Sequence, residues 1–150
     1  MVATPPDNTR KDASGASDCY KGQELENPDE CRNLIRQSVE HFGRLDGLVN
    51  SAGITTRGTL EESSVELWDQ HMAVNARAPF LTMQESVIIM QKQGWGGSIV
   101  NIITKSAHGG QPFLTPYSSS KGALATLTKN AAYSQRWHKI RVNGIMVGWM

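Results

Sequence analysis

Apolar positions recur at three- and four-residue steps through Cys31, Leu34, Ile35, Val39 and Phe42. That spacing predicts a helix burying one face. Asn27-Pro-Asp-Glu30 opens it, with Asn27 as N-cap, Pro28 at the first helical position and Glu30 placed to close a capping box. Gly43 ends it. A second helical pattern runs from Ser64 to Gln93 through Leu67, Met72, Val74, Leu81, Val87, Ile88 and Met90. Ser63 or Ser64 can cap it, and Pro79 should kink or divide it. A third pattern begins near Tyr117 and continues through Ala123, Leu124, Leu127, Ala131 and Ala132. Between these helices lie short apolar runs: Leu48-Val49, Ile99 to Ile103, and Ile140 to Ile145. The second is β-branched and preceded by glycine, and reads as a buried parallel strand. Strands alternating with helices predict an α/β fold.

Residues 1–20 break this pattern. They contain Pro5, Pro6, Asp7, Asn8, Lys11, Asp12, Ser14, Gly15 and Ser17 with no apolar run. The composition predicts a disordered or loosely held segment, ahead of one folded domain over residues 21–150. Composition narrows the function. Charged residues are 19% of the 150 and the net charge is +1, with no basic stripe for nucleic acid and no apolar run of membrane-spanning length. The amino terminus lacks a charged-then-apolar leader, so a cytoplasmic protein is expected. Cys19 and Cys31 have neither metal-ligand spacing nor a histidine cluster, and read as reduced thiols. No metal site is expected.

Chemistry concentrates between Gly97 and Lys121. Tyr117 and Lys121 stand four residues apart at a helix start, so phenol and ammonium share one face. Thr104, at the end of the preceding strand, can meet them across a loop holding Gly109, Gly110 and Pro112. Ser106 is a second candidate hydroxyl, two residues nearer to Tyr117. Ligands of open α/β sheets bind beyond the carboxyl ends of the strands. A phenol in water is a poor base at neutral pH, and a nearby ammonium favours the phenolate.

The spacing Thr104–Tyr117–Lys121 resembles the Ser–Tyr–Lys arrangement of the short-chain dehydrogenase/reductase family, with threonine in the serine position. Two further stretches carry the resemblance in the same order. Asn50-Ser-Ala-Gly53 looks like the family's Asn-Asn-Ala-Gly turn, with Ser51 departing from it, and Asn75 looks like its tetrad asparagine. The resemblance implies a Rossmann-like α/β fold, a three-layer parallel sheet with flanking helices, covering residues 21–150 and incomplete at both ends. It implies NAD or NADP as cofactor and a small-molecule alcohol or carbonyl as substrate. Tyr117 is then general acid or base, and Lys121 also holds the ribose hydroxyls. Thr104 bonds the substrate oxygen, its extra methyl crowding a serine site. Asn75 supports a water-linked proton path, at a helix distortion that frees a backbone carbonyl. Asn50, Ala52 and Gly53 would approach the adenosine side. Gly148, in place of a Pro-Gly turn, would lie along the nicotinamide. Glu24 falls where the family carries an adenine-contacting acid, though a surface glutamate is the plainer reading and the one favoured.

One feature counts against a working enzyme. No apolar strand and glycine-rich turn, the usual pyrophosphate cradle, precedes Gly43. The alternative is therefore an inactive fragment acting through association. A homo-oligomer would follow the family's habit.

Overall fold

A computed structural model describes residues 25–148. Its sheet has three parallel strands in the order β1 (Gly47–Asn50), β2 (Gly97–Thr104) and β3 (Ile140–Val147). Helix α1 (Pro28–Phe42) precedes β1. Helix α2 (Val65–Met72), a π-helical segment (Ala73–Arg77) and α3 (Ala78–Gln93) connect β1 to β2. A one-turn α4 (Ser106–Gly109), α5 (Thr115–Gln135) and a 3-10 turn (Arg136–His138) connect β2 to β3. Parallel neighbours require such crossovers. The register sets Leu48 beside Ile99 and Ile99 beside Val142, and Thr104 beside Val147.

The cap and stop signals at Asn27, Gly43 and Ser64 act as the sequence predicts, while among the described residues Glu30 makes no bond back to Asn27 to close a capping box. The Asn27 side chain accepts the Asp29 N–H at 2.9 Å. Gly43 takes φ 76°, the left-handed conformation open to glycine, and donates to the Val39 carbonyl. Ser64 accepts the Leu67 N–H at 3.2 Å and starts α2.

The long helical pattern is divided around Asn75, where the resemblance implied a helix distortion, rather than kinked at Pro79. Pro79 sits in the first turn of α3, where its ring is tolerated, and the irregular stretch is the π segment just before it. The two are linked: an α-helical N–H at position 79 would serve the carbonyl of Asn75, and proline has none. The loop expected after β2 also opens differently, as the helical turn α4, which contains His108.

Ile35, Leu45, Leu48, Met83, Met90, Ile99, Ile140 and Val142 form one core. Helices α1, α3 and α5 therefore pack on the same sheet face. Along β2, Ile99, Asn101 and Ile103 are buried there, while Val100 and Ile102 on the other face are half-buried. Of the three layers expected, the described residues supply the sheet and one helical layer. Each fully buried aliphatic side chain contributes about 1.5–3 kcal/mol.

Asn101 occupies an inward position among these apolar groups, fully buried. Its amide donates to Thr128 Oγ1 at 2.9 Å and to Met83 Sδ at 3.1 Å. Its oxygen accepts from Asn50 Nδ2 at 2.8 Å, and Asn50 Oδ1 accepts from the Thr82 hydroxyl at 2.8 Å. One amide thus ties β1, β2, α3 and α5. Asn101→Ala strands the Asn50 amide and opens a void. A loss of about 2–4 kcal/mol is expected, read in urea denaturation as a lower midpoint at unchanged slope.

Candidate active site

Parallel order brings the carboxyl ends of all three strands to one edge. There β1 passes into Asn50-Ser-Ala-Gly53, β2 ends at Thr104, and β3 ends beside Gly148. The Lys105 N–H bonds the Val147 carbonyl at 2.9 Å, which carries the β2–β3 pairing to this edge. The loop after β1 is zipped to the approach of α5: Gly58 N–H donates to the Phe113 carbonyl and Thr115 N–H to the Gly58 carbonyl, each at 3.0 Å.

Asn75 lies in the π segment and is fully buried. Its oxygen accepts the Ile54 N–H at 2.9 Å, and its amide donates to the Ile54 carbonyl at 2.9 Å. The second amide hydrogen goes to Ser120 Oγ at 3.0 Å, and Ser120 donates to the Tyr117 carbonyl at 2.8 Å. Asn75 therefore clips the turn after β1 to the helix that carries Tyr117 and Lys121.

Tyr117 is half-buried in the first turn of α5. Lys121, one turn on, is 4% exposed, and its Nζ donates to the Ile102 carbonyl at 2.9 Å. Burial pushes its ammonium below the ordinary lysine range. A Cβ added to Gly53 would stand 3.0 Å from Asn75 Oδ1 and 3.3 Å from Lys121 Nζ. Glycine at 53 thus lets the backbone approach both polar heads. Thr104 is half-buried at the end of β2, its hydroxyl 3.1 Å from that of Ser106.

The structure brings Gly53, Asn75 and Lys121 together, with Tyr117 one turn before Lys121. Ala52 and Gly148 are exposed on the same edge. Asn50 differs: its side chain turns into the helical layer, leaving only backbone toward the edge. Glu24, Cys19 and the segment 1–20 lie outside the described residues. Cys31 is buried, with its thiol pushed up by burial and donating to the Leu25 carbonyl at 3.4 Å. An open groove of about 1220 Å³ lies between α2–α3 and α5 and is lined by none of Asn75, Thr104, Tyr117 or Lys121. Sequence reasoning missed Ser120 and Ile54 as Asn75's partners. Ser120 sits in a serine triplet between Tyr117 and Lys121, where spacing from Tyr117 alone would have singled it out.

A parallel α/β sheet with a tyrosine–lysine pair at its carboxyl edge is the build of the Rossmann-type oxidoreductases. The chain belongs to the short chain dehydrogenase family, whose sequence model matches residues 8–150. That match begins inside the polar opening segment. An uncharacterized oxidoreductase of Thermotoga maritima is 44% identical over 119 residues, covering 79% of this chain and 47% of that protein. The 2,5-dichloro-2,5-cyclohexadiene-1,4-diol dehydrogenase of Sphingobium indicum is 34% identical, over 91% of this chain and 55% of its own. The crystal structure of acetoin dehydrogenase YohF from Salmonella typhimurium superposes with a TM-score of 0.80 at 33% identity, over 83% of this chain and 49% of that one. The chain spans about half the length of the curated relatives it matches.

The buried ammonium makes stability depend on pH. Below its lowered folded-state pKa, Lys121 is charged folded and unfolded, and the burial penalty stands in full. Between that value and the ordinary one of about 10.4, only the unfolded chain holds the proton, so stability rises with pH. Lys121→Met should flatten this alkaline rise and lift the neutral-pH Tm by a few degrees, measured by calorimetry across pH.

Proposed function

We propose that this chain is an NAD(P)-linked oxidoreductase interconverting a small alcohol and its carbonyl, with Tyr117 as general acid or base. The observation that carries the reading is Lys121. Its ammonium is buried at the sheet's carboxyl edge, one turn from Tyr117 and against Gly53 and Asn75. Among the described residues it bonds a backbone carbonyl and no carboxylate. A buried cation so placed is costly, and such groups cluster at functional sites. The site suits a nicotinamide cofactor in one respect: the bare Cα of Gly53 lets the backbone close on Asn75 and on an ammonium able to hold ribose hydroxyls.

When bound, the cofactor supplies the hydride. The protein supplies the proton and the positions. Tyr117 gives its hydroxyl proton to the substrate oxygen in reduction and takes one in oxidation. Lys121 holds the ribose. Thr104 donates a hydrogen bond to the substrate oxygen. Asn75 fixes the turn at Gly53, and its carbonyl, which Pro79 leaves without an α-helical donor, holds a water on the proton path. Backbone at Asn50, Ala52, Gly53 and Gly148 lines the cofactor. A cyclic-diol dehydrogenase and an acetoin dehydrogenase among the relatives favour a small secondary alcohol as substrate. Among the described residues no helix is long and apolar enough to cross a membrane, in keeping with a cytoplasmic enzyme.

Two surfaces favour a second reading, association without turnover. Ala76, Phe80, Ala123 and Leu127 line the open groove between α3 and α5. On β3, Ile145 and Met146 are about half exposed. A second copy of the chain is the partner these apolar surfaces fit.

Calorimetric titration with NADH and with NADPH tests the enzyme. Saturable one-to-one binding is expected with one of them. Tyr117→Phe should bind within about twofold of wild type and lose turnover at least about a hundredfold. No heat with either cofactor on folded protein overturns the reading. Sedimentation tests association: a dimer that Phe80→Asp returns to monomer supports it, and a wild-type monomer rejects it.

A further inference from the structure

We infer that Ser106 is a positioning residue for Thr104, holding the Thr104 hydroxyl as a one-way hydrogen-bond donor aimed out of the protein. The inference rests on the alcohol–carbonyl reading for its catalytic meaning, and on geometry alone for the direction of the hydrogen.

A threonine hydroxyl has one hydrogen to give and two lone pairs to receive. Thr104 Oγ1 accepts the Ser106 backbone N–H at 3.3 Å. The two hydroxyl oxygens stand 3.1 Å apart, so one donates to the other. Burial decides which. Ser106 is 9% exposed, and among the described residues its hydroxyl bonds only to Thr104. If Thr104 donated inward, the Ser106 hydrogen would be shut in without an acceptor, a costly state. If Ser106 donates, both lone pairs of Thr104 are filled, by the N–H and the O–H of one residue. The Thr104 hydrogen then has one direction left, outward past the end of β2.

The backbone holds this pair in place. Gly110 N–H bonds the Ser106 carbonyl at 3.0 Å, and His108 N–H bonds the Lys105 carbonyl at 3.0 Å. The turn α4 therefore fixes Ser106, and β-branching restricts the rotor of Thr104. A hydroxyl that receives two hydrogen bonds is also a stronger donor. Where negative charge develops on a carbonyl oxygen during reduction, a preoriented donor is worth more than a free one. Ser106 thus acts through Thr104 rather than in its place.

Carbon-13 NMR of the purified chain in equal parts H2O and D2O tests the direction without any turnover. A hydroxyl whose hydrogen exchanges slowly splits its Cβ signal, and a solvent-facing one does not. Ser106 should be split and Thr104 single; any other pattern overturns the inference. Kinetics test the consequence, with 2,3-butanedione as the carbonyl probe and whichever of NADH or NADPH binds. Ser106→Ala should lower kcat about tenfold with KM within about twofold, and Ser106→Thr should restore most of it. Wild-type kcat in Ser106→Ala overturns the positioning role. So does a Thr104→Val enzyme that keeps the turnover Ser106→Ala loses, because Ser106 would then be the donor itself. A wild-type chain without turnover counts against the reaction, while the carbon signals still decide the hydrogen bond.

Discussion

Two fully buried amides hold this molecule in register. A buried amide is tolerable only when its oxygen and both its hydrogens find partners, and Asn75 and Asn101 each find three. Asn101 works inside the sheet, fastening two strands to two helices. Asn75 works at the edge, fastening a turn to the start of a helix. Apolar packing would allow α5 to slide or roll by a fraction of a turn at small cost. Hydrogen bonds of fixed length do not allow it, so Tyr117 and Lys121 inherit a defined height over the ends of the strands.

The site is built against stability. Burying the Lys121 ammonium opposes folding, and the compensation is spread over Ile99, Ile140, Met90 and the rest of the core. Such a residue is hard to explain as scaffold. Under the proposed reaction its burial has a use: a cation out of water acts strongly on what it touches. The absence of a side chain at Gly53 belongs to the same economy, since it lets the backbone close on both the Asn75 amide and the Lys121 ammonium.

Much of this was legible in the chain. Caps at Asn27 and Ser64, the stop at Gly43 and the apolar runs are local signals, and local physics fixed those elements. The pairing of Tyr117 with Lys121 is a spacing within one helix, and it too could be read. What escaped depends on contacts distant in sequence. Asn101 is one polar residue in an apolar strand, and only its alternation with Ile99 and Ile103 marks it as inward. Ile54 bonds Asn75 through its backbone, which leaves no trace in residue type. The break in the long helix, by contrast, could be read, from Pro79 and from the distortion the resemblance implied at Asn75, and the structure puts it around Asn75, where the proline's missing hydrogen is felt.

That break has a consequence for the length of the chain. A π turn spends one residue more than an α turn, and each residue of a helix turns it by about 100°. The segment Ala73–Arg77 therefore works as a phase shifter. In an unbroken α-helix Leu67, His71, Ala78, Leu81 and Thr82 would share one stripe about 100° wide; the extra residue of the π segment turns the downstream stripe back from the upstream one by about that much. A one-residue deletion here would restore a regular helix and leave both halves aimed as they are, so what it would take away is the distortion around Asn75 itself. In this stretch the count of residues carries information that their identities do not.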